Sequence, residues 1–247
     1  MRVQVVGSGD AFGTGGRDSS CFHVETNGFR FTLDFGFSAH VAMKRAGLSL
    51  AALDAVALSH LHGDHFGALP VLLIDGQFGE LREKPLAIYG PPGTTERLKT
   101  VMEALYPGTW DLKWRFPFTI EEVAPGASVP FGPLTLTTTE VVHASGAPST
   151  ALRLTNGAKT LAFSGDTEWT EALYPIAYGA DLFICECYKF QGMPHGHLSY
   201  ETLVRERQAL GAKRMLLTHM GQEMLERTSE VDGAAFMLAE DGLVFYL

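Results

Sequence analysis

Short runs rich in Val, Leu, Phe and Thr recur along the chain, separated by Gly, Pro, Asp and Asn. They predict strands over 2–6, 20–25, 29–34, 54–58, 85–89, 134–142, 150–155, 159–163, 181–186, 213–218 and 243–247. Several are apolar at successive positions, the pattern of a strand covered on both faces. Helical spacing predicts helices over 38–46, 67–75, 94–105, 169–178 and 199–210, the last capped by Ser199 and stopped by Gly211, and Ala-rich 233–239 predicts one more short helix. Strands in both halves with helices between them imply two sheets packed together with helices outside, a layered α/β sandwich rather than a barrel. Breaks such as Gly90-Pro91-Pro92-Gly93 and Gly132-Pro133 are short, and no repeat or linker-like stretch is present, so one domain over 1–247 is expected.

Composition narrows the picture. Hydrophobic residues make up 46% and charged residues 19% of the 247, ordinary proportions for a chain that folds throughout. No apolar run reaches the roughly 20 residues that span a bilayer, and Met1 to Gly7 reads as a strand entering a glycine turn, not as a secretory signal. Cys21, Cys185 and Cys187 are too few and too oddly placed for a disulfide framework, so a reducing cytoplasm is expected. The net charge of −9, with no basic run, disfavours a long nucleic acid as partner. Small anionic substrates stay compatible, because bound cations offset acidity locally.

The segment His60-Leu61-His62-Gly63-Asp64-His65 places four N/O donors in a tight loop directly after a predicted strand. Imidazole and carboxylate are ligands that zinc takes, and Gly63 lets such a loop turn its side chains inward together. His143, Asp166 and His219 each follow a predicted strand, so all can converge at one sheet edge. His143 alone would read equally well as a packed histidine.

The six-residue motif followed by His143, by Asp166 in Ser164-Gly165-Asp166-Thr167 and by His219 in Leu217-Thr218-His219 resembles the metallo-β-lactamase superfamily over essentially the whole chain. The resemblance implies an αββα sandwich of two mixed sheets with helices on the outer faces. It also implies that His60, His62 and His143 hold one ion, that Asp64, His65 and His219 hold another, and that Asp166 bridges them. Zinc is the default metal; manganese and iron suit the same donors.

Further segments resemble ribonuclease Z and its smaller phosphodiesterase relatives: Gly7-Ser8-Gly9-Asp10 with Ser19-Ser20, Leu33-Asp34-Phe35-Gly36, and Leu216-Leu217-Thr218-His219. Glu186, in Ile184-Cys185-Glu186-Cys187, and His197 stand where that branch carries a glutamate and a catalytic histidine. Two departures matter. The short span between His143 and Asp166 leaves no room for a long substrate-gripping arm, and the cysteine-rich extra zinc site of one phosphodiesterase branch is missing. Gly7-Ser8-Gly9 reads as a tight turn in preference to a phosphate cradle. Asp34 either orients a metal-bound histidine or caps the turn at Gly36.

These features point to a hydrolase in which two ions lower the pKa of a bridging water, Asp64 takes a proton, His197 protonates the leaving oxygen and Glu186 orients His197 or shares its proton. His197 reads alternatively as a cap for the helix near Ser199. The expected substrate is a small phosphodiester. A lactone, thioester or amide is the alternative, and a non-catalytic metal-binding sensor or biosynthetic partner is the rival of another class. The aromatic stretch of Tyr106, Trp110, Trp114, Phe116 and Phe118 reads as a loop that covers a substrate, closes over the core or joins a homodimer, and Tyr188–Gly196 has similar ambiguity.

Overall fold

Strand alternation builds the layers of the computed structural model, which describes residues 1–247. The first half supplies β1 (Arg2–Gly7), β2 (Cys21–Thr26), β3 (Phe29–Leu33), β4 (Ala55–Ala57), β5 (Leu86–Gly90) and β6 (Phe118–Glu122). The second supplies β7 (Ser128–Phe131), β8 (Leu134–Glu140), β9 (Thr150–Thr155), β10 (Thr160–Phe163), β11 (Leu182–Glu186), β12 (Met215–Thr218) and β13 (Met237–Leu238), and β14 (Val244–Tyr246) returns to the first sheet. The sheet orders are β14-β1-β2-β3-β4-β5-β6 and β13-β12-β11-β10-β9-β8-β7. Pairing is antiparallel from β14 through β3 and parallel from β3 to β6; in the second sheet it is antiparallel from β7 through β10 and parallel from β10 to β13. The two sheets thus share one pairing pattern without a visible sequence repeat.

Successive side chains point to opposite faces of a strand. Ala55, Ala57, Leu182 and Ile184 therefore enter the core between the sheets, whereas Val56, Phe183 and Cys185 face outward. Phe131 of β7 closes the sandwich against Phe29, Phe31 and Tyr89 of the other sheet, with ring centroids 5.5, 5.0 and 4.7 Å away. Helices α1 (Ala39–Arg45), α2 (Gly63–Phe66), α3 (Leu69–Ile74) and α4 (Thr94–Leu105) belong to the first half. Residues of α1, α3 and α4 cover its outer face. Helices α5 (Leu173–Ala177), α6 (Tyr200–Leu210) and α7 (Gln222–Glu226) bury residues against the second sheet. The αββα layering expected from the strand and helix pattern is present, and no helix is long and apolar enough to cross a membrane.

Two local expectations change. Residues 233–239 are not a helix: Asp232 accepts from the backbone amides of Ala235 and Phe236, Phe236 drops into the outer core, and the chain continues into β13. Burial of one phenylalanine and strand pairing override the helix preference of Ala234 and Ala235. Strands β6 and β7 carried no clear strand signal, because Phe118–Glu122 is half polar and Ser128–Phe131 contains Pro130. Both lie at sheet edges.

The polar row Gln4, His23 and Thr32 crosses β1, β2 and β3 in register on the first sheet's outer face. His23 Nδ1 and Thr32 Oγ1 are buried there without partners. Burial, reinforced by Arg2, pulls the His23 pKa down to about 4. The neutral ring is favoured by folding, so its stabilisation is present above the unfolded histidine pKa near 6.5 and is lost as pH falls from there towards 4. The loss should reach about 3 kcal/mol across that window. Urea unfolding of the metal-free protein should show His23→Leu less acid-sensitive than the unsubstituted chain, the other histidines that burial holds neutral contributing equally to both; parallel stability curves between pH 7 and 4.5 would refute the assignment.

Candidate metal centre

The C-terminal ends of β1, β3 and β4 in one sheet and of β8, β10, β11 and β12 in the other carry the polar residues that meet at one edge of the sandwich. After β4 the chain turns at Ser59 and passes through His60 and His62 into α2, which carries Asp64 and His65. Asp34, after β3, holds this turn: its carboxylate accepts from Ser59 N at 2.8 Å and Ser59 Oγ at 2.9 Å, and lies 2.6 Å from His65 Nδ1. Of its two readings, orientation of His65 is therefore the one present. Gly36 is required beside it, because an added Cβ would fall 1.9 Å from the Asp64 carbonyl oxygen.

From the second sheet, His143 follows β8 and is 3.0 Å from His62 Nδ1 through its Nε2, while its Nδ1 donates to Gly196 O at 2.7 Å. That bond turns Nε2 inward. Asp166 follows β10 after Gly165, whose φ of 58° is left-handed. His219 follows β12 with a φ of 57°, unusual for a histidine, and its amide donates to Ser8 O at 3.0 Å. Ser8 N is taken by Asp241 and Gly9 N by Asp18 O, so neither amide is free for a phosphate.

Two separate donor groups result: His60, His62 and His143 offer ligand atoms within 4.8 Å of one another, and so do Asp64, His65, Asp166 and His219, while a third set, His143, Asp166 and His197, overlaps both. Asp166 Oδ2 lies between them, 3.2 Å from His65 Nε2, 3.3 Å from His219 Nε2, and 3.9 Å from both His60 Nε2 and His143 Nε2. His60 Nε2, Asp64 Oδ2 and His65 Nε2 are buried without hydrogen-bond partners. Such orphaned atoms converging on one point fit divalent cations, which use the lone pairs that burial leaves idle.

Electrostatics agree with that fit at three of the histidines, while at His65 the carboxylates favour a proton that a bound cation would have to displace. Burial drives His60, His143 and His219 below the usual imidazole range, which keeps them neutral and able to ligate. Burial opposes charge on His65 too, but Asp166, Asp64 and Asp34 outweigh it and hold it well above that range. For Asp166, burial would raise the pKa, and His219 and His65 instead keep it well below the carboxylate norm.

His197 and Glu186 form the flank. Burial pushes Glu186 up to about 7 against the pull of His197. Burial also lowers His197, but the hydrogen bond and charge of Glu186 prevail and carry it to about 9. The two are 3.1 Å apart, Nδ1 to Oε1, and Glu186 also accepts from Thr167 N and Leu198 N at 2.6 and 3.0 Å. His197 is not the helix cap, a role Ser199 takes by accepting from Thr202 N. All nine residues singled out from the sequence thus gather at this edge.

An open cavity of about 320 Å³ lies over the donors, with Phe12, Tyr188 and His197 among its walls. Tyr188 packs on the His197 ring at 4.8 Å. Phe12 and Asp241 escaped sequence reasoning, since a lone aromatic or aspartate in a turn carries no local signature, whereas Ser8 and Tyr188 stood in segments already singled out and only their contacts were not legible. The aromatic stretch lies elsewhere: Phe116 is buried in the outer core, and Trp110, Trp114 and Phe118 pack on it.

Residues 1–243 match the family model described as anti-Pycsar protein Apyc1. The chain belongs to the Apyc1 family. It is 27% identical over 228 residues to the probable metallo-hydrolase YhfI of Bacillus subtilis, covering 89% of this chain and 87% of that one. It is also 27% identical to ribonuclease Z of Shouchella clausii, covering 100% and 97%. That alignment runs over 310 positions, so the ribonuclease carries residues that this Apyc1-family chain of 247 lacks. The crystal structure of YhfI superposes with a TM-score of 0.82 at 23% identity, covering 99% of this chain and 98% of that one. Human tRNase Z, short form, gives 0.81 at 22%, covering 100% and 99%. The fold is that of the metallo-β-lactamases, and this family member is a metal-dependent hydrolase related to ribonuclease Z.

Proposed function

We propose that this Apyc1-family chain acts through residues 1–247 as one catalytic unit, a two-ion phosphodiesterase that cleaves a small anionic phosphodiester. The observation that carries the reading is the position of Asp166 Oδ2 between the two donor groups. His60, His62 and His143 would hold one ion and Asp64, His65 and His219 the other, with Asp166 shared. Zinc suits the set best, and manganese or iron suit it as well. When bound, the ions supply an acidified water and positive charge for the transition state.

The chain's own residues supply proton transfer and orientation. Asp64 Oδ2, buried without a hydrogen-bond partner, is placed to take a proton from the attacking water. Glu186 holds His197 through Nδ1, which leaves Nε2 to protonate the departing oxygen. That assistance suits an alkoxide leaving group, and a carboxylate rather than a thiolate at the shared position suits phosphodiesterase-like relatives. Three features favour a small substrate: the cavity volume of about 320 Å³, the net charge of −9, and the absence of the residues that lengthen ribonuclease Z.

Loaded protein should bind close to two divalent ions per chain by elemental analysis, and Asp166→Ala should lower occupancy at both sites. One ion under metal excess would sink the two-ion reading. In parallel assays, an activated phosphodiester should turn over faster than a lactone, thioester or β-lactam; the reverse order would move the assignment to acyl hydrolysis, and tight metal binding with no turnover of any substrate would favour a sensor. His197→Ala should keep near-normal metal content but lose roughly 100-fold of turnover on a poor leaving group, and less on a nitrophenolate ester, which needs little protonation. Equal losses on both substrates would make His197 a positioning residue.

A further inference from the structure

His60 and His62 belong to the loop after β4 in one sheet, and His143 to the loop after β8 in the other. Thr150 bonds the Ser59 carbonyl upstream of His60, through N and Oγ1 at 2.9 Å each. A single side chain spans the other side of the gap. Arg97, half-buried on α4, donates from Nη1 to Leu61 O at 3.1 Å and to Ser145 O at 2.8 Å, and from Nη2 to Gly146 O at 3.1 Å. Leu61 lies between His60 and His62, and Ser145 lies two residues beyond His143. The fit is close: a Cβ on Gly146, whose φ is 72°, would fall 2.9 Å from Arg97 Nη2.

The other donor group rests on different supports. Ser8 O accepts from His219 N at 3.0 Å and from Thr218 Oγ1 at 3.2 Å. Asp241 fixes Ser8 in turn, accepting from its amide at 2.8 Å and its hydroxyl at 2.7 Å. With a left-handed backbone at His219, that ligand depends on its surroundings to stay in place.

We propose that Arg97 is a positioning residue for the His60, His62 and His143 group alone, and that Asp241 acting through Ser8 serves the His219 group alone, so that each ion position has a support of its own besides the shared Asp166. The inference rests on the two-ion reading above. A planar guanidinium reaches three carbonyls in fixed directions, which an ammonium cannot do, so lysine replaces it only in part. Electrostatics and positioning predict opposite signs. A guanidinium behind the loops repels cations, and its removal would tighten metal binding if charge decided; loss of loop registration weakens it.

The test uses full-length, zinc-loaded protein under stepwise chelator competition, with zinc counted by elemental analysis and the melting temperature of the metal-free protein measured alongside. Arg97→Ala should release one ion at a free-zinc level roughly 10- to 100-fold higher than the unsubstituted protein requires, and keep the second. Arg97→Lys should fall between and serves if Arg97→Ala does not fold. In an Asp64→Ala background Arg97→Ala should still weaken the remaining ion, whereas in a His62→Ala background it should add little; Asp241→Ala, which removes the acceptor of both Ser8 bonds, should show the converse dependence. Equal weakening of both ions by Arg97→Ala, the same added loss in both backgrounds, or tighter binding would overturn the proposal. A single ion in the unsubstituted protein would overturn the two-ion reading itself, before any variant is compared.

Discussion

Asp166 is almost wholly enclosed, yet its Oδ2 has imidazole nitrogens of four histidines within 3.9 Å. A carboxylate so placed loses several kcal/mol of hydration unless positive charge or hydrogen bonds replace it. The imidazoles provide that replacement, and divalent cations, which their lone pairs suit, would add to it. Because distances around the carboxylate are short, loops from four separate strand ends must be held to a small tolerance. Most of the polar contacts at this edge serve that requirement.

Glu186 illustrates how the tolerance is met. Its two oxygens hold the amide after Asp166, the amide after His197 and the His197 ring, so one buried carboxylate ties Asp166 to the proposed acid. Asp34 does the same for Ser59 and His65 on the facing sheet. Three left-handed residues, Asp34, Gly165 and His219, cluster at this edge, with φ between 55° and 58°. Non-glycine residues in that region carry roughly 1–3 kcal/mol of strain, tolerated where a rigid frame imposes it. The apolar layers between and outside the sheets are that frame, and they place strain beside the reacting groups instead of spreading it through the fold.

Much of this was legible in the chain itself. His60 to His65 put four donors in one loop, and His143, Asp166 and His219 each stood just past an apolar run, so both the chemistry and its location at strand ends followed from residue type and periodicity. Asp34 was visible as a candidate but not its role, because a carboxylate before a glycine turn serves a cap or a histidine equally well until the neighbour is known. The Ala-rich 233–239 segment misled, since the pull of Phe236 into the core is a tertiary effect.

Side-chain chemistry and hydrophobic period are local properties, and they determined the layered sandwich and which residues are candidate metal donors. Residue type and spacing left open how those donors divide into two groups; the family resemblance implied the division, and tertiary structure decided the distances that set Asp166 between the groups and which residues keep them there. The supports at Arg97, Ser8 and Asp241 act largely through backbone carbonyls and amides, which every residue but proline offers alike. Contacts of that kind, made between segments more than two hundred residues apart in the case of Ser8 and Asp241, leave no mark on composition or spacing.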